Sequence, residues 1–403
     1  PNKMRIDEIK QEPVVDAGPK HIPFHEFIQE RQRKFAKQPW NIDPPKYDYK
    51  PVPMGNQVNF SDLPPNAIVM RQKYRHVDVA TFYDSSPYTK FKSLWEQNSS
   101  IQKCAYLIGR FEMIDNNLTK KKKVSTSTQL SNKGTKLMCA KIYGLYEPPQ
   151  KGDGRGVKLL KDHNEELIDS VINACNMERI GIVFTTLPRG GKKYNGDIFM
   201  SGQEIFTSAR LQEKYKNKNT GFSKFITLIT HIGLKEAQCF MISDQGVAMI
   251  KNGLISAGTT SLTDDKLDNY GFMKVNIPPS KIYIPGVINE NKEIKQGTHF
   301  PPDALLVNII ATVAKNQEHL FNFVHFPSPQ NATVDHVRKH LIHHKNEELH
   351  VALSDFNLLL YLTKVIDVEL VIKIAKHVVK KERMNEDLVK KVKSQLKISV
   401  PGY

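Results

Sequence analysis

Three histidines, His336, His340 and His344, recur one helical turn apart in the stretch DHVRKHLIHHKNEELH, a spacing that can gather imidazoles on one helix face to hold a metal. No carboxylate-rich or cysteine-bearing segment accompanies them to complete a coordination shell, so they read as a polar helix face. GRGVKLL and RGGKKYNG combine glycine with lysine but lack the GxxxxGK[ST] spacing of a phosphate loop, and read as turns. Cys104, Cys139, Cys175 and Cys239 are scattered, without a CxxC pair and with apolar neighbours; they read as core thiols of a chain in a reducing compartment. Ser201 followed three residues later by Glu204 has the spacing of a reciprocal helix cap.

The elements that would position these residues follow from periodicity and breakers. Residues 1 to about 70 are proline-rich, which predicts an extended arm with one short helix near Phe24 to Arg33. Ser86 before Pro87 marks a helix start, with Tyr88, Phe91, Leu94 and Trp95 as its apolar face. KCAYLIGRF and LMCAKIYGLYEP read as neighbouring strands separated by a lysine-rich insertion that includes TKKKK, Thr119 to Lys123. Next come a helix from Asp162 with Leu167, Val171, Ile172 and Cys175 as its stripe, a strand RIGIVFTTL, a helix from Ser201, strands SKFITLITHI and AQCFMISD, and a short helix capped by Asp244. A strand ALLVNIIATV precedes four helical segments between residues 335 and 398.

The 403 residues suggest more than one core, and 39% hydrophobic with 25% charged residues is a globular composition. No run approaches a membrane span, and Pro1 opens a polar stretch rather than a signal peptide. The lack of an initiator methionine leaves room for a preceding domain. A formal net charge of +16 suits nucleic acid, an anionic membrane or an acidic partner without naming one.

RQKYRHVD (71–78), YLIGRF (106–111), YEPPQ (146–150), ERIGIVFTTL (178–187), FMSGQEIFTSARLQ (199–212), SKFIT (223–227), YIPGV (283–287) and SDFNLLLYL (354–362) together resemble the nuclear-protein-localization-four family over roughly residues 20 to 365. The resemblance implies an α+β chain. Residues 1–78 would form an extended arm with a degenerate zinc-finger segment, 79–255 an MPN-like domain related to zinc isopeptidases, and 256–403 a mainly helical C-terminal domain.

Isopeptidase chemistry needs a glutamate base, a His-x-His pair and a Ser-x-x-Asp element. Those positions fall on Gln102, on Phe184 and Thr186, and on Ser201 and Glu204, which implies a scaffold that is not an enzyme and carries no metal or cofactor. The family's zinc-finger cysteine pairs are missing from residues 1–70, so the arm would act as a strap. His21 and His25 alone cannot close a tetrahedral site.

The implied function is a ubiquitin-binding substrate adaptor of the AAA+ segregase valosin-containing protein, in the cytoplasm and nucleus, acting in proteasomal and ER-associated degradation. It would pair as a heterodimer with the ubiquitin-fusion-degradation adaptor and hold an unfolded ubiquitin in a groove between the MPN-like and C-terminal domains. Contacts with ubiquitin or a partner are expected at Arg110, Tyr146, Glu147, Pro148, Pro149 and Gln150, with Arg71, Tyr74 and His76 at the edge. Rival readings are a basic nucleic-acid-binding protein and a family paralogue reused as a structural subunit; an active isopeptidase would require zinc.

Overall fold

The computed structural model describes residues 21–34, 43–47, 67–115, 136–154, 156–186, 200–232, 237–258, 273–277, 282–283, 299–300 and 302–400. The TKKKK insertion, RGGKKYNG and most of the proline-rich arm lie outside them. Seven strands close into a barrel: β1 (Val79–Phe82), β2 (Cys104–Asp115), β3 (Lys136–Tyr146), β4 (Glu178–Thr185), β5 (Ile226–Thr230), β6 (Gln238–Ile242) and β7 (Leu306–Val313). Their order around the barrel is β5-β6-β7-β1-β3-β2-β4, and parallel pairing of β4 with β5 completes the ring.

Strands β2 and β3 are the antiparallel neighbours that their apolar patterns predict, from Tyr106 opposite Tyr146 to Asp115 opposite Lys136. A bulge falls at Ile108/Gly109, where a Cβ on Gly109 would stand 1.8 Å from the Lys141 carbonyl oxygen, so a glycine is required. Strand β7, placed after residue 255 by the sequence-based boundary, inserts into the barrel between β6 and β1. Cys239 pairs with Ile309 on one side, and Val79 with Ile310 on the other.

Alternating side chains supply two cores, as a half-buried sheet requires. Ala105, Leu107, Val183, Leu228, Met241 and Val307 join one, with Phe91 from helix α2 (Ser86–Glu96). Tyr106, Ile108, Phe184, Phe240 and Ile242 join the other, shared with α3 (Glu165–Ala174), α4 (Gly202–Lys214) and α5 (Asp244–Lys251). This second core continues into the C-terminal helices α6 (Val334–His343), α7 (Leu349–Ala352), α8 (Phe356–Leu362), α9 (Val368–Lys380) and α10 (Glu386–Ser399). Gly144 lets these helices approach β3, because a Cβ there would lie 3.2 Å from the Phe356 ring.

Several expected caps are relocated. Helix α2 has Ser85 at its N-cap, not Ser86, and Leu94 is exposed. In α3 the cap position is Asn164, while Asp162 accepts the Tyr146 hydroxyl at 2.6 Å; Ile168 rather than Leu167 is buried. In α5 the Ser243 side chain accepts the Gly246 N–H, and Asp244 instead serves the arm. The Ser201–Glu204 box at α4 is formed in both directions.

Part of the N-terminal arm packs as a strap. Ile22–Pro23 pair with Tyr74–Arg75. Helix α1 (Phe24–Lys34) lays Phe24 and Phe27 against the Tyr74 ring, with centroids 5.2 and 4.3 Å away.

Candidate functional site

The barrel and the C-terminal helices meet along a cleft of about 150 Å³. One wall comes from the barrel side: Asp84, Pro87, Lys90, Phe91 and Leu94 on and before α2, Lys103 at the start of β2, and Leu145 and Glu147 at the end of β3. The other comes from Phe321, Phe323, Val324 and Pro327 and from Asp355, Phe356 and Asn357 at the head of α8. The volume admits one side chain at a time. It is smaller than a long apolar groove, and well below the roughly 300–1,000 Å³ of a cofactor pocket.

Its polar groups are arranged by burial. The Lys90 ammonium donates to the carbonyls of Val324 (2.5 Å) and Phe326 (2.7 Å), tying α2 to the opposite wall. Desolvation lowers its pKa, against the opposing pull of Asp355 and Glu147. Asp355 caps α8 by accepting from the N–H groups of Asn357 (2.9 Å) and Leu358 (3.3 Å), and accepts from Phe326 at 3.0 Å. Burial raises the pKa of Asp355, its backbone donors and Lys90 opposing. Burial likewise raises that of Glu147, with Lys103 and Lys90 opposing. The cleft thus offers aromatic and aliphatic walls with a part-buried carboxylate at its rim, a surface for a peptide side chain.

Of the expected contact residues, Glu147 lines this cleft. Its neighbours serve the scaffold. Tyr146 is buried, donates to Asp162, accepts from Gln330 Nε2 at 3.3 Å, and lies 5.3 Å from the Arg179 guanidinium. Gln150 mimics a strand partner: its Oε1 accepts from the Cys104 N–H at 2.7 Å and its Nε2 donates to the Cys104 carbonyl at 2.8 Å. Pro148 is buried and Pro149 half-buried. Arg110 donates to the Tyr143 hydroxyl at 3.1 Å, and Tyr143 donates to Glu318 at 2.9 Å, joining β2 and β3 to the segment after β7.

Arg71, Tyr74 and His76 gather elsewhere, on the strap. The Tyr74 hydroxyl donates to Asp244 at 2.8 Å, His76 Nε2 lies 2.9 Å from the same carboxylate, and Arg71 pairs with Asp303 at 3.3 Å. They are not brought beside the cleft among its described lining residues.

The positions that isopeptidase chemistry would use are otherwise engaged. Gln102 is buried and donates to the Gly154 carbonyl at 3.2 Å. The Phe184 ring is in the core opposite Cys104, and the Thr186 N–H donates to the Thr230 carbonyl at 2.8 Å. Ser201 and Glu204 are committed to each other. His340 Nε2 lies 2.8 Å from the Ala352 carbonyl, His344 pairs with Glu347 at 3.0 Å, and His336 shares the Thr333 cap. Among the described residues no cluster of three histidine, cysteine or acidic side chains could hold a metal ion, and all four cysteines are free and buried. Among those residues, too, no helix is long and apolar enough to cross a membrane.

Lys90, Phe321, Phe323 and Asp355 were not singled out by sequence reasoning. The Asp355 cap was within reach, since SDFN ahead of an apolar run has cap chemistry. Lys90 carries no such signal.

The sequence profile of the NPL4 family matches residues 134–397. Curated relatives include the nuclear protein localization protein 4 of Meyerozyma guilliermondii, 27% identical over 330 residues, covering 72% of this chain and 53% of the relative. That of Schizosaccharomyces pombe is 26% identical, covering 75% and 54%, and the Rattus norvegicus homolog is 25% identical, covering 74% and 50%. The chain thus spans about half the length of the curated relatives it matches.

Proposed function

This chain belongs to the NPL4 family, and from that premise we propose that it is a non-catalytic ubiquitin-binding substrate adaptor of the AAA+ segregase valosin-containing protein. In this reading it works in the cytoplasm and nucleus beside the ubiquitin-fusion-degradation adaptor. The barrel, with β7 counted in it, is an MPN-like scaffold in which the metal-site positions have been given over to packing and capping. The carrying observation is the cleft between barrel and helices, with its aromatic wall at Phe321, Phe323 and Phe356 facing Glu147.

An extended segment of ubiquitin lies along the rim of this cleft and inserts one side chain at a time, a mode that the cleft's volume of about 150 Å³ supports. Capturing ubiquitin in an unfolded form selects a minor state, so the contacts must offset the free energy of unfolding it. The test is binding of a ubiquitin tetramer and, in parallel, an RNA oligomer, each at low and physiological salt. Ubiquitin binding that survives salt, and weakens when Phe323 is changed to Ser, supports the adaptor reading. Binding of RNA alone, or of neither, overturns it.

A further inference from the structure

Helices α9 and α10 run antiparallel. A short turn through Lys381 to Asn385 joins them at one end, and at the other the Asp367 N–H donates to Gln395 Oε1 at 3.0 Å. Their inward faces close the second core through Val371, Ile374, Val392 and Leu396. Between their outer faces lies a groove of about 520 Å³, more than three times the volume of the cleft described above.

Lys373, Lys376 and Lys380 line it from α9 and Lys391 from α10, all four exposed, over a floor that includes Leu370 and Leu388. Lys373 to Lys380 spans seven residues, about 10.5 Å along the helix axis. Among the described residues Lys373, Lys376 and Lys391 have no ion-pair partner, and Lys380 reaches Glu382 only at 4.0 Å. The hairpin over 368–400 carries nine lysines and arginines against four carboxylates, so intramolecular pairing cannot neutralise the groove.

We propose that the groove between α9 and α10 docks an acidic amphipathic peptide helix. Its carboxylates, one or two turns apart, meet Lys373, Lys376, Lys380 and Lys391 while an aliphatic side chain rests on Leu370 and Leu388. Charge complementarity selects the sign of the partner, and two further features favour peptide over nucleic acid. The one ring in its lining is the half-buried imidazole of His377, with no phenyl, phenol or indole beside it, too little for successive bases to stack on. Glu382 and Asp387 close one end, where they would repel a uniformly anionic phosphate chain but not a peptide of mixed pattern. The four lysines are exposed and the floor leucines mostly buried, so the attraction is chiefly electrostatic and salt-sensitive. The inference does not depend on the proposed handling of ubiquitin, whose cleft has different lining residues.

The test is fluorescence anisotropy of a labelled, helix-forming, glutamate-rich peptide with a leucine stripe, titrated with the full chain at about 50 and about 150 mM salt. The groove variant is Lys373→Glu/Lys376→Glu/Lys391→Glu, and the control Lys151→Glu/Lys158→Glu/Lys161→Glu makes the same charge change elsewhere on the exposed surface. Unchanged circular dichroism and melting verify the fold of both. The expected result is about tenfold or greater weakening in the groove variant and less than about twofold in the control. No binding by the wild-type chain, equal weakening in both variants, or tighter groove-dependent binding of a single-stranded RNA oligomer would overturn the proposal.

Discussion

Acidification should loosen the N-terminal strap through one histidine. The His21 ring is 6% exposed, and neither of its nitrogens makes a well-aligned hydrogen bond among the described residues. Burial chiefly, and the nearby positive charge of Arg75, lower its pKa from 6.5 to about 4, with the Gln72 backbone opposing only in part. The docked strap therefore binds fewer protons than the released one. Its stability is fully present above pH 6.5 and is lost progressively as pH falls toward 4.

Taking those two values, lowering the pH from about 7.5 to about 5 should cost about 2 kcal/mol, or about thirtyfold in the opening constant. The reporter is the Ile22 amide, which donates to the Lys73 carbonyl at 2.9 Å and is freed when the strap lifts. Hydrogen exchange at that amide, corrected for the intrinsic rate at each pH, reads the opening directly. In His21→Leu the pH dependence should flatten, because the side chain that takes up the proton on release is gone. An opening constant independent of pH in the wild type, or an equally steep dependence in His21→Leu, would refute the reasoning.

Gly144→Val places methyl groups where the Phe356 ring already stands 3.2 Å from the position of a Cβ, and should destabilise the chain by about 1–3 kcal/mol in urea unfolding. Ser201→Ala removes the acceptor for the Glu204 N–H at 3.2 Å and should lower stability by about 1 kcal/mol, again read by urea unfolding. Arg179→Met should cost about 1–2 kcal/mol in the same assay, because it removes the guanidinium that lies 2.7 Å from the Asp169 carboxylate, while Asp169, 39% exposed, can turn to water instead. All four cysteines are buried, so a thiol reagent should react with none of them in native conditions and with all four after denaturation.

The elements with strong periodicity were legible in the sequence. Strands β2 and β3, the Ser201–Glu204 cap and the amphipathic α9 carry their pattern within a dozen residues, and the structure has them where the pattern puts them. The position of β7 was not legible. Its apolar run announces a strand, but its place between β6 and β1 depends on pairings with distant segments that leave no local mark. Cap assignments failed where a side chain had a stronger tertiary use. Asp244 and Asp162 have cap chemistry, yet they accept from Tyr74 and Tyr146, whose part-buried hydroxyls need partners.

The candidate site divides in the same way. Glu147, which lines the cleft, lies in a recognisable stretch of sequence. Lys90 and Phe323 were missed, because a lysine on a helix face and a phenylalanine in a loop acquire their roles only once the second wall of the cleft is in place. Tyr146 and Gln150, equally conspicuous in sequence, proved to be engaged in holding the scaffold.

Hydrogen–deuterium exchange on the full chain mixed with a ubiquitin tetramer tests the adaptor account most directly, because it reports on both partners at once. The account predicts new protection in residues 321–327 and 355–357 around the cleft, together with loss of protection in one ubiquitin of the tetramer. Binding in which every ubiquitin keeps its native protection while the cleft residues exchange as in the free chain would contradict it.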